Sequence, residues 1–285
     1  MTTDIHNHPY LNFALTMVYN CGFLMTMATK RKTKINRLIN QWTIGTPSAT
    51  SYLTASGFGR DLLVKYKNSG WLEPFGRGAY IRSGDKVDWP GALYTLQNQL
   101  SLPVHVGGKT ALQLKGYAHY LPARQNKVFL YGSRGLILPA WFKDDRFGVK
   151  FVVTRTNFFP ADCRGGFTDF IERDFSIRVA APERAAMEML HLVPKEVGFD
   201  EAQLIMENLV TLRPDVVQGL LAACRSVKVK RLFLYMAERQ EHTWLSKLDL
   251  SKIDLGKGKR MIMPHGRFDA KYQITVPIDR EGTPS

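Results

Sequence analysis

Three cations on one predicted helix, Arg60, Lys65 and Lys67, stand shortly before a Gly-Arg-Gly turn that carries a fourth, Arg77. Guanidinium and ammonium groups presented from a helix can hydrogen-bond to base edges and neutralise phosphates, while an arginine at a hairpin tip can meet the adjacent backbone. That chemistry is recognition of duplex nucleic acid, not the making or breaking of bonds. Lys30, Arg31, Lys32 and Lys34 upstream and Arg82 downstream complete the candidate DNA contacts. A second basic group, Lys257, Lys259, Arg260, Arg267 and Lys271, gathers around Gly256 and Gly258. A Gly-flanked basic run of this kind forms either an anion-binding turn or an ordinary exposed loop.

Other chemistries are less well supplied. Gly108-Lys109-Thr110 opens a predicted helix as a phosphate-binding loop would, but the full pattern needs a glycine five positions before Gly108, where Pro103 stands. Gly107-Gly108 therefore reads as a tight strand-to-helix turn. Asp144, Asp145, Asp162, Asp169, Glu172 and Asp174 crowd one region, the raw material of a metal-dependent nuclease, without a spacing that fixes a catalytic set. His6 and His8 lack a third ligand, and His191 reads as a partly buried or surface histidine rather than a base. Cys21, Cys163 and Cys224 are odd in number and far apart, which matches neither a disulfide framework nor a zinc site and fits a reducing cytoplasm. No catalytic residue, metal or cofactor is assigned.

The elements that must position the cations follow from periodicity. Leu62, Leu63 and Tyr66 recur at helical spacing, which turns Arg60, Lys65 and Lys67 outward. Gly70 stops that helix, and strands Trp71 to Pro74 and Ala79 to Arg82 flank the turn at residues 75–78. Upstream, Lys32 to Trp42 reads as a helix with Ile35, Leu38, Ile39 and Trp42 inward and Lys34 and Arg37 outward. Thr46-Pro47 is a start signal for a second helix through Ala49, Tyr52, Leu53 and Ala55. Helix, helix, short turn, helix and hairpin make a winged helix-turn-helix.

Downstream, a helix is expected over Trp89 to Leu100, then strands at Val128 to Tyr131, Leu136 to Leu138, Lys150 to Thr154 and Asp174 to Val179. Helices follow at Ala181 to Val193, Asp200 to Leu212, Pro214 to Ser226 and Lys228 to Arg239, with a closing strand at Lys271 to Val276. The fold class is α/β (α+β), with residues 27–100 a winged helix-turn-helix domain and residues 101–285 a larger domain of mixed sheet and helices.

The 285 residues carry a formal net charge of +14, a field that attracts polyanions. Between Met27 and Arg82 stand ten lysines and arginines against Asp61 and Glu73, so more than half of the excess falls on about a fifth of the chain. Leu11 to Ala28 is apolar, but Asn12, Thr16, Asn20 and Thr26 interrupt it and no lysine or arginine precedes it, unlike a signal peptide or membrane span. Residues 1–26 read as an N-terminal extension from an upstream start, with the folded body beginning near Met27.

Four stretches together, GWLEPFGRGAYIR, VDWPGALYTLQNQLSLPVHVGGKTALQLKGYAHYLP, RVAAPERAAMEML and LDLSKIDLGKGKRMIMPHGRFDAKYQITVP, closely resemble AbiEi-type antitoxins of type IV toxin-antitoxin (abortive infection) systems, over roughly Met27 to Val276. The resemblance implies a winged-helix repressor that binds inverted repeats in the double-stranded DNA of its own promoter. It also implies a C-terminal domain that counters a nucleotidyltransferase toxin, with stable binding between the two not assumed. By motif, Arg60, Lys65 and Lys67 fall on the recognition helix and Arg77 in the wing. The extension before Met27 departs from the family pattern. The basic residues between Lys257 and Lys271 are candidates for antitoxicity from their surface character alone. Two alternatives stand beside this expectation: an enzyme, nuclease or kinase-like, acting on nucleic acid or the toxin, and a module that docks the toxin directly.

Overall fold

Thr33 opens the first helix: its hydroxyl accepts the Asn36 amide at 3.3 Å, and α1 runs Lys34–Gln41 with Leu38 inward. The computed structural model describes residues 33–117, 127–143 and 147–278. Lys30, Arg31, Lys32, Asp144, Asp145, His6, His8, Cys21 and the extension over 1–26 lie outside them. After α1 come β1 (Ser48–Ala49), α2 (Thr50–Ala55), α3 (Arg60–Asn68), β2 (Leu72–Pro74) and β3 (Ala79–Arg82). The strands form an antiparallel sheet in the order β1-β3-β2. Leu38, Trp42, Leu53, Phe58, Leu63 and Leu72 make its small core.

The start of α2 differs from the Thr46-Pro47 signal. Thr46 turns its hydroxyl back to the Thr43 carbonyl at 2.7 Å, and the Pro47 carbonyl accepts from the Thr95 hydroxyl. Ser48 and Ala49 then pair with Tyr80 and Ala79 and donate to the side-chain oxygen of Gln99. Strand pairing and a long-range amide thus outbid a local capping preference.

Helix α4 (Trp89–Tyr94) continues into a π-helical turn over Thr95–Gln99, where sequence suggested one regular helix. Its residues serve two neighbours. Gly91 lies so close to Gly45 that a Cβ there would fall 2.0 Å from the Gly45 carbonyl oxygen. Gln97 bonds the Val104 carbonyl and both backbone groups of Arg178, while Ala92, Leu93 and Leu96 enter the larger core.

That core is built on a five-stranded mixed sheet of β4 (Val104–Val106), β5 (Lys127–Gly132), β6 (Lys150–Arg155), β7 (Phe167–Glu172) and β8 (Phe175–Ala180), in the order β6-β5-β4-β8-β7. Pairs β5/β6 and β4/β8 are parallel; β4/β5 and β7/β8 are antiparallel. Leu136 to Leu138, expected as a strand, is not one. The Leu136 amide closes a turn on Ser133 and its carbonyl accepts from Arg155 Nε, so the backbone groups are satisfied without a ladder.

Helix α5 (Gly108–Leu114) follows β4. After the sheet come α6 (Pro182–His191), α7 (Phe199–Glu207), α8 (Pro214–Ala223) and α9 (Val227–Arg239). Helices α7 and α8 end a few residues before the sequence expectation, and the closing strand is shorter. A small sheet in the order β10-β11-β9 follows, from β9 (Arg260–Met261), β10 (Arg267–Asp269) and β11 (Ile274–Val276). Among the described residues no helix is long and apolar enough to cross a membrane.

Candidate nucleic-acid interface

Helix α3 buries Leu63 completely and Leu62 and Tyr66 in part, and this fixes what faces out. Arg60, Val64 and Lys67, spaced four and three apart, form one exposed stripe, with Asp61, Lys65 and Asn68 beside it. Gly70, at φ +73, ends the helix in a left-handed conformation that disfavours any side chain. Lys34 and Arg37 are exposed on α1, and the Arg37 guanidinium lies 5.6 Å from the Phe58 ring centroid.

The hairpin is anchored at both ends. At its base Glu73 accepts from the Ser83 hydroxyl at 2.6 Å and the Gly84 amide at 3.0 Å, and these bonds hold its carboxyl below the ordinary value. At its tip Phe75 is buried, with its ring 5.9 Å from Trp141 and 6.0 Å from Phe147 in the larger unit. Arg77, between Gly76 and Gly78 at φ +88 and +94, stays exposed. Arg82 folds onto Asp85 at 3.9 Å, and Asp85 also accepts the Gly45 amide, so this cation is engaged within the fold.

The second basic group is organised by a residue that the sequence reading passed over. Buried Arg231 donates to the carbonyls of Leu255, Gly256, Gly258 and Gln273 at 2.6 to 3.3 Å. With the Gly256 amide held by Asp254 at 2.7 Å, the loop offers side chains to its surroundings rather than a nest of free amides. Lys257 and Lys259 are exposed, the latter 4.9 Å from the Phe268 ring centroid. Arg260 is half-buried and Arg267 exposed. Lys271 is ion-paired with Glu238.

A third constellation joins residues far apart in sequence. Buried Glu188 accepts from His105 Nε2 at 2.8 Å, Arg184 Nε at 3.0 Å and the Gly108 amide at 3.2 Å, and its own carbonyl accepts the Tyr131 hydroxyl at 2.7 Å. Burial pushes this carboxyl up, but the charges and hydrogen bonds of His105 and Arg184 prevail and hold it below the ordinary value. The α5 N-terminus thus receives a carboxylate from its own chain, and Lys109 pairs with Glu201, so the Gly107-Gly108-Lys109 turn is occupied internally. Gly107 is required there, because a Cβ would meet Glu188 Oε2 at 2.1 Å. Arg184 lies between the rings of Phe159 and Phe167, 4.4 and 4.2 Å from their centroids.

The acidic residues do not gather: among the described residues no three His, Cys, Asp or Glu side chains could hold a metal ion. His191 stacks on Phe158 with centroids 4.8 Å apart, and burial and the Lys228 charge hold its imidazole below the ordinary value. Cys163 and Cys224 are both free thiols, and burial pushes Cys224 up to about 11.

A family model described as a transcriptional regulator, the AbiEi antitoxin of a type IV toxin-antitoxin system, matches residues 125–277. One described as the N-terminal domain of the AbiEi antitoxin transcriptional regulator matches residues 31–123. Among solved structures the chain is similar to the RV2827C protein from Mycobacterium tuberculosis, at 14% identity and a TM-score of 0.48, over 84% of this chain and 88% of that one. No curated protein matches the chain significantly.

Proposed function

Because the chain belongs to the AbiEi antitoxin family of transcriptional regulators of type IV toxin-antitoxin systems, we propose that it represses its own operon by binding inverted repeats in the promoter and counters a nucleotidyltransferase toxin, without catalysis. The reading assigns DNA binding to residues 27–100 and antitoxicity to residues 101–285, and places the protein in the cytoplasm with its promoter. The observation that carries it is the exposed Arg60, Val64, Lys67 stripe of α3 standing beside an anchored hairpin.

On this reading α3 enters the major groove, where Arg60 reaches a guanine edge and Val64 a thymine methyl, while Lys34, Arg37, Lys65 and Lys67 meet phosphates. Phe75 fixes the tip from behind, so Arg77 is offered to the neighbouring backbone at a set distance from α3. Exposed Lys257 and Lys259 are the proposed antitoxicity residues, with Arg260, Arg267 and Lys271 as their surroundings.

The test is a mobility-shift titration against the DNA upstream of the gene beside a scrambled duplex. Discrete, preferential shifts of the upstream fragment are expected. Arg60→Ala should weaken that fragment by about 1–3 kcal/mol and the scrambled duplex much less, whereas Arg77→Ala should weaken both alike. Equal, weak binding to both duplexes by the unmodified protein would refute operator recognition.

A further inference from the structure

Beyond operator binding, we propose that a cleft in the larger unit is a binding site for a small molecule bearing a phosphate group. The cleft, of about 630 Å³, lies against the sheet where His105, Tyr131, Phe167 and Arg178 share one side, and the loop over residues 156–164 closes it. That size suits a nucleotide or a sugar phosphate. Ser133 and Thr156 follow the carboxyl ends of the parallel strands β5 and β6, the end of an open α/β sheet at which ligands bind.

The sign of the site follows from its charges. Glu188 is the one carboxylate lining it among the described residues, and its two oxygens are consumed by His105, Arg184 and the Gly108 amide. Arg164 and Arg178 also line it; both are exposed, and neither is ion-paired among the described residues. Two guanidinium groups without an ion pair among the described residues, Arg178 lying 5.8 Å from the Phe167 ring centroid and across the strand pair from Asp169, stand at the mouth of a wall formed by Pro103, Phe158, Phe159 and Phe167 and favour an anion.

Hydrogen-bond donors complete the match. Thr156 Oγ1 accepts the Phe158 amide at 3.2 Å, which leaves its proton for an acceptor, and Ser133 and Asn157 add a hydroxyl and an amide. With Nε2 of His105 committed to Glu188, Nδ1 is the ring atom left for a ligand. The buried ion pair and the rings around Arg184 hold this lining in place, as a preformed site requires.

The experiment is isothermal titration calorimetry of the full chain, in phosphate-free buffer, with inorganic phosphate, adenosine 5′-monophosphate and adenosine. Binding of at least one phosphate-bearing probe and none of adenosine is expected. Tighter binding of the nucleotide than of inorganic phosphate assigns the source as a phosphorylated metabolite; equal binding assigns free phosphate. R164A/R178A should weaken the interaction about tenfold or more, because each arginine supplies a charge-assisted hydrogen bond, whereas K257A/K259A should leave it unchanged. Thermal unfolding checks that R164A/R178A is folded, which two exposed positions predict; R178Q read alone, with a smaller loss, replaces it if it is not. Absence of heat from both phosphate probes at about 5 mM, weaker than the millimolar edge of specific binding, overturns the site. So does equal affinity in the arginine variants, or an equal loss in K257A/K259A.

Discussion

Glu188→Gln is expected to lower the unfolding free energy by about 3–5 kcal/mol, the usual cost of removing one partner from a buried ion pair. The carboxylate is 1% exposed and Arg184 8%, so neither charge has water to fall back on. Glutamine keeps one acceptor oxygen but sets an NH₂ group against donors, since His105, Arg184 and the Gly108 amide all point at the carboxylate. Arg184→Met/Glu188→Gln should lose less than the sum of the single changes, because the first removes the charge that the second strands. The pH dependence has a definite sign. The folded carboxyl lies below its ordinary value, so its stabilisation is complete above the unfolded value of about 4.3 and is lost as pH falls through the folded one. Urea unfolding of Glu188→Gln should therefore depend less on pH below about 5 than that of the native chain. Glu183, held below the ordinary value by Arg213 against burial, keeps part of that dependence. A loss below about 1 kcal/mol, the level of a surface pair, would show that the network is not a structural keystone.

This network also marks where the sequence stopped being legible. The N-terminal helices and hairpin were readable because their signals are local: Leu62, Leu63 and Tyr66 set the phase of α3, Gly70 its end, and the glycines around Arg77 the turn. The helix stop at Gly70 and the strand Ala79–Arg82 coincide with expectation. Strand β1 was invisible, since Ser48–Ala49 has no strand pattern and is extended only because β3 and Gln99 claim its backbone. Strand β4 is three residues long, and β7 lies between segments that carry clearer signals. Phe75 reads as a turn residue until Trp141 and Phe147 are seen behind it. Helix α6 was anticipated, but for its apolar face. Arg184 and Glu188 stand one turn apart on it, and charged residues inside a helix buried on every side are the signal that could have pointed to the network. His105 is 83 residues from Glu188, and no spacing rule within one sequence joins them.

Operator affinity is expected to fall roughly five-hundredfold between 50 and 200 mM salt. Exposed Lys34, Arg37, Arg60, Lys65, Lys67 and Arg77 form the proposed contact face of one protomer. Each cation that neutralises a phosphate contributes about −0.9 to the slope of log affinity against log salt, so the five other than Arg60, which is assigned to a base edge, give about −4.5. Arg82, held by Asp85, and Lys271, held by Glu238, are left out because their partners are already within the fold. Two protomers seated on an inverted repeat as one cooperative unit double the slope to about −9, so the same titration separates paired from single occupancy. Lys65→Ala and Lys67→Ala should each reduce the slope by about 1 on operator and scrambled duplex alike. Arg60→Ala should instead remove most of the preference for operator, because a guanidinium on a base edge carries sequence information that a phosphate contact lacks. A slope shallower than about −2, or one indifferent to both lysine substitutions, would move the DNA-binding surface off α3. The anchored hairpin would then serve to hold the two units together through Phe75, and the cations of α3 would be a solvated face.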